Sequence, residues 1–196
     1  MYIDYDDFAI MQGVKPLADH KYTIDIEKKI FSSAEHYLTL LFSDSDGWTF
    51  NTGSCCTFHT NDNCTFTTLN DCTFTTGNDC TFKVGYSCTF NTSDSCMFNT
   101  ARRCTFHTSD NCTFTTKDGC TFRTGDNCTF TTDAYCMFKT GVSCTFDTDM
   151  RCTFLLFNIN TCKFNKWDDI SIILDCKDDK RYVLNKELYQ LLKMSN

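Results

Sequence analysis

An eight-residue period, repeated without a gap through more than half of the chain, limits the folds open to it more than any other feature. Fourteen units of the form Cys-Thr-Phe-x-Thr-x-x-x run from Trp48 to residue 159. Phe holds the third position in all fourteen, from Phe50 to Phe154. Thr holds the second position in twelve units, with Met97 and Met137 as exceptions, and the fifth in twelve, with Val84 and Leu156 as exceptions. The last three positions vary and are rich in Gly, Asp, Asn and Ser.

Within a unit, positions one, three and five fall on one face of a strand, and positions two and four on the other. The first set is nearly constant (Cys, Phe, Thr) and reads as core. The fourth position varies among Thr, Asn, His, Lys, Arg and Asp and reads as solvent-facing. Thr and Phe favour strands. Gly, Asn and Asp supply the left-handed or Asx conformations of a tight turn. Each unit is therefore a five-residue strand and a three-residue turn.

The turns set the size of the coil. After even-numbered units they are small and uniform, as in Asn61-Asp62-Asn63 and Gly125-Asp126-Asn127. After odd-numbered units they are irregular and bulky, as in Ala101-Arg102-Arg103 and Asp133-Ala134-Tyr135. An alternation of two implies 16 residues per coil, with two strands and two unlike edges; a triangular 24-residue coil has no reason to alternate. The expected fold is an all-β, two-sided parallel β-solenoid, with Phe facing Phe and Cys facing Thr across the core. At about 4.8 Å per coil, seven coils make a rod of roughly 34 Å.

A solenoid must cover its ends. Residues 1–47 are expected to form an N-terminal cap and 160–196 a C-terminal cap, both small and α+β, around the array at 48–159. Lys21–Ile26 reads as a strand, and Ser32-Ser-Ala-Glu35 as a helix start leading into His36–Phe42. Leu155, Leu156 and Phe157 read as an apolar closure. Residues 170–176 and 181–184 read as strands about a turn at 177–180, followed by a helix from Lys186 to Met194 with Leu188, Leu191 and Leu192 on one face.

Of sixteen cysteines, thirteen recur every eight residues from Cys56 to Cys152. Disulfide frameworks use irregular spacings, whereas a fixed period puts each Cys in the same slot as a small buried hydrophobe. The N-terminal residues have neither a basic region nor an apolar one, so no signal peptide is expected. Reduced thiols and a cytoplasmic location follow. No stretch approaches the roughly 20 apolar residues of a membrane helix. The net charge of −7 disfavours nucleic acid as a partner.

The unit in its purest form, Cys120-Thr-Phe-Arg-Thr-Gly-Asp-Asn127, resembles octapeptide-repeat proteins of phage and giant-virus genomes. The resemblance covers about residues 48–159. It implies a β-solenoid and carries no activity.

No catalytic motif, cofactor site or phosphate loop emerges, and an enzyme is not expected. The eight-residue Cys spacing is wrong for a zinc site. Asp62, Asn78, Asp94, Asp110 and Asp126 stack on the even edge and admit a calcium role, without the glycine-rich nonapeptide of calcium-binding β-rolls; Asx side chains bonding their own turns are the simpler reading. Thr columns resemble the ice-binding face of insect antifreeze proteins, but Thr-Phe-Thr occurs only at Thr65, Thr73, Thr113 and Thr129. His59 and His107 lie on one face, three coils apart, with no partner set beside them. On the odd edge Leu69, Tyr86, Arg102, Arg103, Lys117, Tyr135, Met150 and Arg151 line up, and Tyr, Arg and Met are enriched at interfaces. The expectation is a non-enzymatic structural or interaction protein, monomeric or an end-capped oligomer, that presents this edge to a protein partner. The alternative is a DNA-mimic inhibitor of a nucleic-acid enzyme, resembling the pentapeptide-repeat proteins that bind topoisomerases.

Overall fold

The structure, a computed structural model, describes residues 2–4, 22–42, 46–156, 161–165, 171–175 and 181–184. Its strands begin with β1 (Tyr2–Asp4), β2 (Tyr22–Asp25), β3 (Ile30–Ser33), β4 (Thr39–Phe42), β5 (Thr49–Asn51), β6 (Thr57–Thr60) and β7 (Thr65–Thr67). There follow β8 (Thr73–Thr75), β9 (Thr81–Val84), β10 (Thr89–Asn91), β11 (Met97–Thr100), β12 (Thr105–His107), β13 (Thr113–Thr116) and β14 (Thr121–Arg123). The last are β15 (Thr129–Thr132), β16 (Met137–Thr140), β17 (Thr145–Thr148), β18 (Thr153–Leu156), β19 (Lys163–Phe164), β20 (Ser171–Asp175) and β21 (Arg181–Leu184).

Even-numbered strands from β4 to β20 form one sheet (sheet A), with β1 and β21 at its ends. Odd-numbered strands from β3 to β19 form the other (sheet B), with β2 at its end. From β5 to β18, successive strands of a sheet are parallel, in register and 16 residues apart: Phe90 pairs with Phe74 on one side and Phe106 on the other. The result is a two-sided parallel β-solenoid of about eight coils, as the alternation of turns required. The antiparallel neighbours are β2 on β3 and β21 on β20, one at each end.

The core follows from the unit. Within a sheet, Phe rings stack face to face, as Phe106 does on Phe90 and Phe122 at 4.8 Å and 3°. Across the sheets they meet edge to face, Phe106 with Phe98 and Phe114 at 5.2 Å. Every ring from Phe50 to Phe154 is buried. Toward the turns the Cys thiols are buried too, and each donates to turn carbonyls. Cys128 Sγ reaches Asp126 O at 3.5 Å and Ser109 O of the coil before at 3.5 Å. A thiol here is a small hydrophobe that also satisfies carbonyls the ladder leaves over. All fifteen described cysteines are free, and fourteen are buried. Thiol neighbours in the column, followed by burial, push the thiols of Cys64, Cys88, Cys96 and Cys128 up. A thiolate there would sit in a dry column of like groups.

The ladder continues beyond the recognisable repeat on both sides. Phe31 pairs with Phe50 and Leu40 with Phe58, so Leu38-Thr-Leu-Leu-Phe42 is a degenerate unit aligned on Cys56-Thr-Phe-His-Thr60. Phe164 pairs with Phe146, and Cys162 is buried below it in the Cys column. These outer coils have 18 or 19 residues rather than 16.

The helix expected from Ser32 through Phe42 is absent; β3 and β4 occupy that stretch. Its burial alternates with a period of two, with Phe31, Ser33, Leu40 and Phe42 inward. Docking on an existing strand edge outweighs a capping box. The strand expected at Lys21–Ile26 is β2, and those at 170–176 and 181–184 are β20 and β21. Phe157, the turn at 177–180 and the helix from Lys186 to Met194 lie outside the described residues. No α-helix occurs among the described residues, and no helix there is long and apolar enough to cross a membrane.

Candidate functional site: the two edges

Both edges are built from one turn. Its eighth-position residue is left-handed in all thirteen turns from Cys55 to Arg151, with φ between 55° and 67°. The middle residue faces the same residue one coil on. Where it is Asp or Asn, its Oδ1 accepts the amide of that residue.

On the even edge this ladder is unbroken. Asp46, Asp62, Asn78, Asp94, Asp110 and Asp126 each accept the next coil's amide, ending at Val142, over 2.7 to 3.2 Å. The side chains therefore bond the neighbouring coil rather than their own turn, which corrects the Asx-turn expectation. The reason is the parallel in-register stack, which points each amide at the coil before. Glycine at the first turn position leaves room: a methyl on Gly125 would overlap the Asp110 carboxylate, and one on Gly141 that of Asp126. These carboxylates stand in single file, one oxygen engaged by an amide, and among the described residues no three metal-ligating side chains gather. The left-handed slots here hold Gly47, Asn63, Asp79, Ser95, Asn111, Asn127 and Ser143, mostly residue types that take that conformation cheaply.

The odd edge departs on both counts. Its ladder runs from Ser54 to Asn70 and from Asn70 to Tyr86, at 3.2 and 3.1 Å. Tyr86 and Arg102 carry no acceptor for the next amide, so it stops. It resumes for one rung, Asp118 to Ala134 at 3.3 Å, and ends at Ala134. The left-handed slots hold Tyr37, Cys55, Asp71, Ser87, Arg103, Gly119, Tyr135 and Arg151. Tyr and Arg are costly there, of order 1 kcal/mol each.

All seven proposed site residues lie on this edge and are exposed, as is Leu69. They occupy five consecutive turns, about 19 Å of rod at 4.8 Å per coil. Arg151 and Tyr135 stack in one column, with Arg151 Nη1 donating to Tyr135 Oη at 2.7 Å and its guanidinium carbon 5.5 Å from the ring centre. Lys117 pairs with Asp133 at 3.4 Å. Arg102 and Arg103 share one turn, one coil from Tyr86. Met150 ends the row.

Sequence reasoning missed Tyr37, the most exposed large apolar side chain described, at 73%. It fills the odd-edge slot one coil before Cys55, and reading 36–42 as helix hid it. The legible signal was the apolar alternation Leu38, Leu40, Phe42. Also missed was a shallow cleft of about 670 Å³ beside this end of the edge, lined by Tyr22, His36, Asn51, Thr67 and Leu69 among others. His36 Nδ1 accepts the Ser54 amide at 2.9 Å. Only Leu69 of the odd-edge row reaches that cleft.

No family model, curated protein or solved structure matches this chain. The two edges are thus the features on which a functional reading rests. His59 and His107 face outward on β6 and β12 of sheet A, with two strands between them. Thr113, Thr115, Thr129 and Thr131 form one two-by-two array on sheet B. Asp147 ends its second column, and Lys83 interrupts the column next to Thr67.

Proposed function

We propose that the chain is a non-enzymatic scaffold that docks a protein partner along its odd edge, through Tyr86, Arg102, Arg103, Lys117, Tyr135, Met150 and Arg151. One observation carries the reading. The same turn on the even edge is filled mostly by residue types that take the left-handed conformation cheaply, beside a continuous ladder, while the odd edge, with Asp71, Ser87 and Gly119 in some slots, holds Arg103, Tyr135 and Arg151 in strained ones. Strain kept on one edge and relieved on the other motivates a use for those side chains. Rigid display also lowers the entropy lost on docking. The place is the cytoplasm, that of the host if the protein is viral, as the resemblance to octapeptide repeats implies. The rod is a monomer or an end-capped oligomer.

A photo-crosslinking amino acid at position 135 tests this against one at 127, the matching slot of the even edge. Adducts with a discrete protein are expected from 135 alone. No adduct, or the same adducts from both, removes the proposal. Arg103→Gly should abolish the adduct while raising stability by roughly 0.5–1 kcal/mol, because glycine relieves the left-handed slot and loses part of that gain to chain entropy.

A further inference from the structure

Charge in the array is sorted by facet. The even turns from 61 to 143 carry five carboxylates and no base, and the odd turns carry four of each. Sheet B shows outward Lys83 and Asp147. The outward positions of sheet A carry Arg123, Lys139, His59 and His107 and no carboxylate from β6 to β18. In a chain of net charge −7 this is the facet without acid.

Its basic side chains are also aligned. Asn91 pairs in register with His107, His107 with Arg123, and Arg123 with Lys139. Like charges set directly beside each other in a sheet repel, and among the described residues no ion pair holds Arg123. Beside this column lies a cleft of about 200 Å³ lined by Asn91, Thr92, His107, Thr108, Ser109 and Arg123. The wall offers an amide, an imidazole, the Ser109 hydroxyl and a guanidinium, and no carboxylate, while the Thr92 and Thr108 hydroxyls are buried inward. The nearest turn carboxylates, Asp94 and Asp110, run along the edge, where their Oδ1 atoms accept the next amides at 3.1 and 2.8 Å.

We infer that this cleft is an oxyanion site, which takes a phosphate or sulfate group on Arg123 with His107, Asn91 and Ser109 around it. Guanidinium and imidazole suit a tetrahedral oxyanion through charge-assisted hydrogen bonds. Lys139, one coil further, gives the site a second cationic step about 4.8 Å away, so linked anionic groups fit better than a lone ion. The site is on sheet A and is independent of the odd edge.

Calorimetric titration of the full chain at low ionic strength with tripolyphosphate, inorganic phosphate and inorganic sulfate tests the inference. Tripolyphosphate should bind one to one, and Arg123→Gln should weaken it about tenfold, the effect of one charged hydrogen-bonding group. Lys83→Gln, on the opposite sheet, should change it less than about twofold, since screened charge alone is a weak attraction. Tighter binding of tripolyphosphate than of either single ion supports the two-step column. Equal binding of phosphate and tripolyphosphate overturns that step and leaves the single slot. Weakening by Lys83→Gln as large as by Arg123→Gln, or no heat with any of the three, overturns the site. Arg123 is exposed on a strand, and matching melting curves for the variant and the parent exclude loss of fold.

Discussion

Phe106→Ala, set against His107→Ala, is the sharpest test of the strand phase. Phe106 is fully buried. It stacks on Phe90 and Phe122 at 4.8 Å and meets Phe98 and Phe114 edge to face at 5.2 Å. Truncating a buried Phe costs about 3–5 kcal/mol. Four ring contacts at roughly 0.5–1.5 kcal/mol each beyond area burial place this one at the upper end. The void cannot close, because hydrogen-bonded strands hold the rings above and below at two coil heights. His107, one residue on, is exposed on sheet A, and its truncation should fall within about 0.5 kcal/mol. Urea unfolding followed by circular dichroism reads both. With a slope of about 2 kcal/mol per molar, the Phe variant should lose about 2 M in midpoint and the His variant almost nothing. Equal shifts would mean that the inward set is misassigned and the reasoning from periodicity wrong.

Gly125→Ala should stretch the Asp110–Asp126 rung from 2.8 Å toward the 3.0 and 3.1 Å seen where Ser93 and Ser109 fill the same slot, and cost about 1 kcal/mol; thermal melts should show the double variant with Asp110→Ala no less stable than Asp110→Ala alone, and additive losses would refute the coupling. Stability should fall as pH rises above about 8.5, because the unfolded thiols of Cys64, Cys88, Cys96 and Cys128 ionise there while the folded ones, raised by their column neighbours and by burial, stay protonated. A flat profile from pH 8 to 10 in urea titrations would contradict this. Removing residues 1–47 deletes β1 to β4 and bares β5 and β6. Light scattering should then report end-to-end stacking, and a folded monomer would show that those strands are not needed as cover.

The array was legible because its signals agree at every level: alternation, turn chemistry and the two-fold rhythm of the turns give one coil. The flanks were harder for a physical reason. Leu38-Thr-Leu-Leu-Phe42 fills the same slots as Cys56-Thr-Phe-His-Thr60 with different side chains, and the coil joining them is two residues longer. Its core role is set by the edge it docks on, which local propensity does not contain. Cys162-Lys-Phe164 keeps the Cys-x-Phe spacing, but ten residues after Cys152 rather than eight, so strict periodicity passes over it. The odd edge was visible as irregular turns. That Tyr86 and Arg102 break a ladder, and that Arg103, Tyr135 and Arg151 sit in strained slots, needed backbone geometry. The Asx residues were read as local turn formers, because their true partner lies 16 residues away.

Two unlike edges on a coil of two units govern how such a gene can change length. Gain or loss of 16 codons shifts every later strand by one whole coil, and Arg103, Tyr135 and Arg151 stay in one column. Gain of a single octapeptide after Cys112 would fit the core equally well, since the units around it, from Cys88 to Cys144, all present Cys, Phe and Thr inward. It would nevertheless send each downstream strand to the other sheet, carry Tyr135 and Arg151 round to the acidic edge, and break the Asp110–Asp126 ladder. Replication slippage in this repeat is therefore filtered by parity: even steps lengthen the rod, and odd steps scramble its surface while leaving its interior intact.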